Sequence, residues 1–128
     1  MDSKLLKKIE AEGLISFMNK TKWRVLVTAM LEGDLYKPQC LIKYLDDGEP
    51  LGPSALDWAM YAGGENTNEI EYLALDPIER IRRGALVAPE TIDHEAELVG
   101  ALTTMRIPFV EEKGYLWIYG YRRASVPQ

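Results

Sequence analysis

One cysteine and one histidine, Cys40 and His94, are all that the 128 residues hold of the two side chains that most often bind metals or act as nucleophile and base. A lone cysteine excludes an intrachain disulfide framework. A structural zinc site needs four Cys or His ligands, twice what the chain has. Cysteine catalysis needs a thiolate within reach of a histidine base. Cys40 sits inside the apolar run Gln39-Cys40-Leu41-Ile42, which reads as an inert buried thiol. His94 follows Asp93 at the start of a helical pattern. The positive end of a helix disfavours an imidazolium there, and a solvated place in the capping turn accounts for it. Asp93, His94, Glu95 and Glu97 crowd one turn; they read as an acidic first turn complementing the helix dipole rather than as metal ligands.

Other signatures are missing as well. The chain has no Gly-x-Ser-x-Gly elbow, so a serine-hydrolase reading has no support. Gly63-Gly64 is followed by neither Gly-Lys-Ser/Thr nor a dinucleotide fingerprint and reads as a turn. No catalytic residue, cofactor or metal ligand is therefore expected. No apolar run approaches the roughly 18 residues of a membrane span. Met1-Asp2-Ser3-Lys4-Leu5-Leu6 has no long apolar stretch behind its charge, so it reads as neither signal peptide nor anchor, and a cytoplasmic location is expected. The net charge of −5 argues against nucleic acid, which requires clustered Lys and Arg, and against anionic membrane surfaces. It is compatible with a basic protein partner, though solubility alone accounts for it better.

What the chain does hold is enough for one α+β domain over residues 1–128. Its 47% hydrophobic and 27% charged content, with three Trp and seven Tyr, is that of a globular protein able to offset chain entropy. A chain of this length buries roughly two thirds of its unfolded surface. Residues 3–17 predict a first helix, capped by Ser3 or Asp2 and interrupted or ended early by Gly13. Asn19 or Thr21 caps a second helix, whose Trp23, Leu26, Val27, Met30 and Leu31 form one apolar face. Gly33 stands at its C-cap.

Residues 39–45 read as a strand, followed by turn chemistry at Asp46-Asp47-Gly48-Glu49-Pro50. Two apolar runs, 55–61 and 69–75, flank a hairpin loop at 63–68, and the first is alternatively a helix capped by Ser54. Asp76-Pro77 starts a short helix that ends at Gly84. Residues 89–93 lead into one long helix through Met105, with Leu98, Ala101, Leu102 and Met105 buried. A final hairpin runs from Ile107–Glu111 through Glu112-Lys113-Gly114 to Tyr115–Tyr121. There Tyr115, Trp117, Tyr119 and Tyr121 share one face, opposite Leu116 and Ile118. The expected architecture is two N-terminal helices, an antiparallel or mixed sheet of about five strands, and a long helix before a closing hairpin.

Two groups of residues are candidates for binding. Arg80, Arg82 and Arg83 suit phosphate or carboxylate recognition, with Arg122 and Arg123 available to join them. The solvated side of a short helix, paired with Glu79, accounts for them better. The row Tyr115, Trp117, Tyr119 and Tyr121 suits base stacking or a protein partner, or simply the core. The binding residues expected are Arg80, Arg82, Arg83, Arg122, Trp117 and Tyr119. Carboxylate pairs occur at Asp46/Asp47, Glu69/Glu71 and Glu111/Glu112. Acid–base work would need one of them in a dry pocket.

Met18-Asn19-Lys20-Thr21-Lys22-Trp23-Arg24 resembles the start of an uncharacterised bacterial family of small cytoplasmic domains, in which Asn stands where Lys20 does. Ile70-Glu71-Tyr72-Leu73-Ala74-Leu75-Asp76-Pro77 and Ile107-Pro108-Phe109 are similar to further stretches of it, with Tyr72 in place of Trp. The resemblance transfers no catalytic residue. Small families of this kind include immunity proteins of bacterial toxin systems, an analogy at the level of class. The reading is a non-enzymatic acidic module that binds a protein, with a basic toxin as the specific partner. A small-ligand or phosphate-binding protein or enzyme built on the Arg80/Arg82/Arg83 cluster is the alternative, and a homodimer through the aromatic hairpin is the third.

Overall fold

A computed structural model describes residues 3–46 and 48–123. Asp2, offered as a helix cap, and Asp47 of the turn lie outside the described residues. Helix α1 spans Ser3–Ala11 and ends early, as Gly13 allows with its φ of +62°. Its apolar side is not core: Leu6 is 52% exposed. The early end is the one of the two alternatives at Gly13 that the structure takes, and strand β1 (Leu14–Ser16) follows it.

Helix α2 (Lys20–Glu32) starts at Asn19, whose Oδ1 accepts from the Lys22 N–H at 2.8 Å. This satisfies one of the N–H groups orphaned at a helix start. Trp23, Leu26, Val27 and Met30 are buried as the period requires, while Leu31 lies outside that stripe, 41% exposed. Gly33 stops the helix by close approach: a Cβ there would sit 2.6 Å from the Ala29 carbonyl oxygen.

Five strands make the main sheet, in the order β3-β2-β4-β8-β7 with every pairing antiparallel. They are β2 (Gln39–Tyr44), β3 (Leu51–Ala55), β4 (Ile70–Asp76), β7 (Val110–Glu112) and β8 (Tyr115–Tyr119). Strand β3 lies between the turn expected at 46–50 and the apolar run expected from 55, where no strand was expected. It is an edge strand, where proline is tolerated since it breaks no ladder on its outer side. The run 55–61 divides between the end of β3 and short 3₁₀ turns over Trp58–Gly64, capped by Asp57 rather than Ser54. The alternation of β2, β4 and β8 places Cys40, Ile42, Leu73, Leu75, Leu116 and Ile118 on one face. They join Trp23, Leu26, Val27 and Met30 of α2, and Leu98 and Leu102 of helix α3 (Glu95–Thr104), in one core. Each fully buried aliphatic side chain contributes about 1.5–3 kcal/mol.

The segment after Asp76 corrects an expectation. Residues 78–81 form not a helix but strand β5 (Ile78–Ile81), paired with strand β6 (Glu90–Asp93) in a separate hairpin. A seven-residue helix has a costly nucleus. Asp76 instead turns the chain, its Oδ1 accepting from the Ile78 N–H at 3.0 Å, and the β-branched Ile78, Ile81, Thr91 and Ile92 suit a ladder. The last strand is also not continuous. At Gly120 a Cβ would lie 2.1 Å from the Ile70 carbonyl oxygen. The chain passes there and leaves the main sheet as β9 (Tyr121–Arg123), pairing with β1 so that Ile15 faces Arg122.

Candidate functional site

Helices α2 and α3 cover one face of the main sheet. On the other face the register aligns Tyr72 with Tyr119 and Ala74 with Trp117. Tyr72, Tyr115, Trp117 and Tyr119 are all half-buried. Tyr72 meets Trp117 edge-on at 5.3 Å between ring centroids, and Trp117 stacks toward Tyr119 at 6.4 Å and 15°. The Trp117 indole N–H donates to the Glu112 carbonyl at 2.8 Å, fixing the ring against β7. The guanidinium of Arg122 sits 4.5 Å above the Tyr119 centroid, a cation–π distance. Three expected binding residues, Trp117, Tyr119 and Arg122, are therefore together. Tyr72, 45 positions before Trp117 in sequence, completes the row, and Tyr121 leaves it. The Tyr121 hydroxyl donates instead to the Asn68 carbonyl at 3.1 Å. Beside Tyr119 and Arg122 lies an apolar cleft of about 130 Å³ lined by Phe17, Pro108, Phe109 and Val110.

The other end of the row is acidic. Tyr115 borders a cleft of about 290 Å³ lined also by Asp93, Glu95, Glu111 and Glu112. The Glu95 carboxyl is pushed above the ordinary carboxylate range by its hydrogen bond to Glu111 and then by that group's charge. Two carboxylates this close favour a proton or a cation between them.

The basic residues do not share one place. Leu75 pairs with Leu116 at one end of the β4–β8 ladder and Tyr72 with Tyr119 at the other. Arg80 follows β4 past the first end, where it donates to Asp76 Oδ2 at 3.0 Å. Arg83 pairs with Glu90 rather than with Glu79, and Arg82 is exposed. Arg122 follows β8 past the second end, and Arg123 is 3.8 Å from Glu12.

His94 has a richer setting than the sequence implied. It occupies the N-cap of α3 without capping it by side chain. Nε2 lies 2.8 Å from Glu79 Oε1, and Nδ1 lies 3.2 Å from Glu97 Oε1. The ring lies flat on Tyr36, whose backbone N–H donates to Glu97 Oε2 at 3.1 Å. The hydrogen bond to Glu79 raises the His94 pKa above its ordinary value, desolvation opposing and Glu97 adding to it. The Cys40 thiol is engaged elsewhere, with Sγ 3.4 Å from the Pro38 carbonyl. Burial, then Asp76, pushes its pKa up to about 12. Among the described residues, no three His, Cys, Asp or Glu side chains are grouped as a metal ion would require, and no helix is long and apolar enough to cross a membrane.

Residues 5–125 match the sequence pattern of DUF6678, a family of unknown function. The chain belongs to that family. In this DUF6678 domain the match runs from within α1 to two residues past β9, so the aromatic row, the acidic cleft and the His94 network all lie inside the family's span. No curated protein and no solved structure matches the chain. The sequence supplied no signal for Tyr36 or Glu79 as partners of His94, since one lies 58 positions before it and the other 15. Tyr72 was visible as an aromatic in a strand, but its place beside Trp117 depends on the β4–β8 register.

Proposed function

We propose that this domain is a non-enzymatic module that binds a basic protein, and that in its specific form it is a cytoplasmic immunity protein masking a bacterial toxin. One observation carries the reading: the face of the sheet opposite α2 and α3 presents Tyr72, Tyr115, Trp117 and Tyr119 half-buried, and Tyr115 also lines the cleft of Asp93, Glu95, Glu111 and Glu112. Aromatic side chains dominate protein interfaces because they bury large area with few rotors. A flanking carboxylate cluster steers a cationic partner and fixes its orientation. The net charge of −5 adds a long-range term of the same sign.

Arginine-based ligand binding receives no support from a shared pocket, since Arg80 and Arg122 depart from opposite ends of the β4–β8 pair. A second copy of the chain is the competing occupant of the aromatic face. Sedimentation velocity on the purified domain separates the two, because a strict monomer leaves the face to a different partner. The direct test is a pull-down from native lysate at graded salt. A stoichiometric basic protein recovered at low salt and lost at high salt is expected. Recovery of none removes the proposal.

A further inference from the structure

We infer that the β5–β6 hairpin is a docking arm for a second copy of this chain, two arms lying side by side so that the tip of each enters the acidic cleft at the base of the other. The hairpin is a separate two-stranded sheet, outside the main one. All four residues of β6 are exposed. The arm is fastened at its base, where the His94 backbone N–H donates to the Pro77 carbonyl at 2.8 Å and the His94 ring holds Glu79. A two-stranded ribbon is marginal in water unless something packs against it.

Its tip is apolar where a solvated turn is polar. Residues 82–89 are all exposed, and Ala85-Leu86-Val87-Ala88 is an unbroken apolar run in place of the Gly, Asn, Asp or Ser of an ordinary turn. Leu86 is 101% exposed and Val87 61%. Exposed leucines are common singly, but a contiguous apolar tip marks a surface that is covered by something. The tip is basic as well. Residues 80–89 hold Arg80, Arg82 and Arg83 and no acidic side chain. Arg80 pairs with Asp76 and Arg83 with Glu90, and among the described residues Arg82 has no carboxylate partner.

The complementary surface is at the arm's own base. Pro77 and Ile78 line the cleft of about 290 Å³ together with Asp93, Glu95, Glu111 and Glu112, the mixture of apolar and acidic groups that an apolar, basic tip fits. Glu95 and Glu111 are hydrogen-bonded there, a crowding of like groups that a guanidinium relieves. The arm cannot serve itself, because its ladder runs from Ile78–Asp93 to Ile81–Glu90, about 10 Å of strand between cleft and tip. A second arm laid antiparallel beside the first brings each tip to the other's base. Both contacts are then identical, and the pair closes about a two-fold axis. A chain of net charge −5 is repelled by an anionic bilayer, which sets a membrane aside as the tip's occupant. The inference rests on the cleft's preference for cations argued above and adds what fills it when no other partner is bound; Trp117 and Tyr119 do not line that cleft and stay open.

The test is sedimentation velocity of the full chain over a concentration series reaching the millimolar range, at low and high salt. A reversible dimer is expected, weaker at high salt. Leu86→Ser is expected to weaken it by about tenfold or more, the loss of one buried leucine side chain, and Arg82→Glu by a similar factor. Adding Glu112→Arg to Arg82→Glu is expected to restore much of the affinity, which damage to the fold does not do. Trp117→Ala is expected to dimerise like the parent. A strict monomer overturns the inference, and its cosedimentation with phosphatidylserine vesicles would assign the tip to a membrane instead. A dimer that Leu86→Ser and Arg82→Glu leave intact overturns it too, as does one lost in Trp117→Ala or a double variant no tighter than Arg82→Glu alone. Its failure is distinct from failure of the proposed function: a monomer that captures a basic protein sinks this inference alone, and an arm-mediated dimer that captures none sinks only the other reading.

Discussion

His94 lies flat on Tyr36, with ring centroids 3.8 Å apart and planes inclined by 7°. This stack joins the segment before β2 to the start of α3. Glu79 on β5 and Glu97 on α3 close around the same imidazole, so one ring ties three separate stretches of chain. The groups that face it are Glu79, Glu97 and Tyr36, with the Asp76–Arg80 pair adjoining Tyr36.

That arrangement fixes a pH dependence. The folded-state pKa of His94 is raised, so protonation favours the folded state. The contribution is fully present below the unfolded histidine value of about 6.5 and is lost as pH rises through the higher folded value. Denaturant midpoints measured from pH 6 to pH 8.5 are expected to fall across that window, and His94→Gln is expected to flatten the fall. An equal slope in the variant would assign the dependence to other groups.

Cys40 is expected to be inert. Its thiol is 2% exposed and its pKa is pushed up to about 12, so thiolate is scarce near neutrality. An aromatic disulfide reagent at pH 8 is expected to label it only on the timescale of unfolding, and fast stoichiometric labelling of the folded domain would contradict this placement.

Gly120 is the point where the last strand changes sheets. A methyl group there meets the Ile70 carbonyl oxygen at 2.1 Å, and that backbone cannot yield without parting β4 from β8. Gly120→Ala is expected to cost about 3 kcal/mol, an overpacking effect against main chain. In the helical half of the core, Leu102→Ala is expected to cost about 2–5 kcal/mol, as for other fully buried leucines. Urea denaturation checks both.

The helices of the core were legible because their signals are local. Asn19 caps α2, and Trp23, Leu26, Val27 and Met30 recur at the helical period. Strands β2 and β4 were legible as apolar runs. The sequence misled where a short segment depends on a distant partner. Ile78-Glu79-Arg80-Ile81 has an aspartate cap and a proline before it, as a helix would, yet becomes a strand because 90–93 offers a ladder. Leu51-Gly52-Pro53 carries no strand pattern, yet lies in the strand that pairs with β2 at the sheet's edge. The candidate face was half legible. Alternation grouped Tyr115, Trp117 and Tyr119, but only the register adds Tyr72, and only the turn at Gly120 removes Tyr121. The acidic cleft brings together residues 93–95 and 111–112, a juxtaposition of α3 with β7 that no local pattern announces.

The aromatic row should separate binding from folding. Trp117 packs on the outer face, away from the cluster formed by α2, α3 and the inner strands. Trp117→Ala is therefore expected to lower stability modestly, by about 1 kcal/mol for a half-exposed aromatic, and Glu111→Gln with Glu112→Gln is expected to leave it nearly unchanged. Thermal melts of the variants beside the parent check this.

The same variants bear on the central claim, through a salt-graded pull-down from native lysate using the parent domain, Trp117→Ala, and the Glu111→Gln/Glu112→Gln pair. A basic protein recovered at one-to-one stoichiometry by the parent at low salt, released at high salt, and depleted by both variants is the predicted result. Recovery of no such protein, or of one that both folded variants retain as well as the parent, would contradict the assignment of this face to a cationic partner.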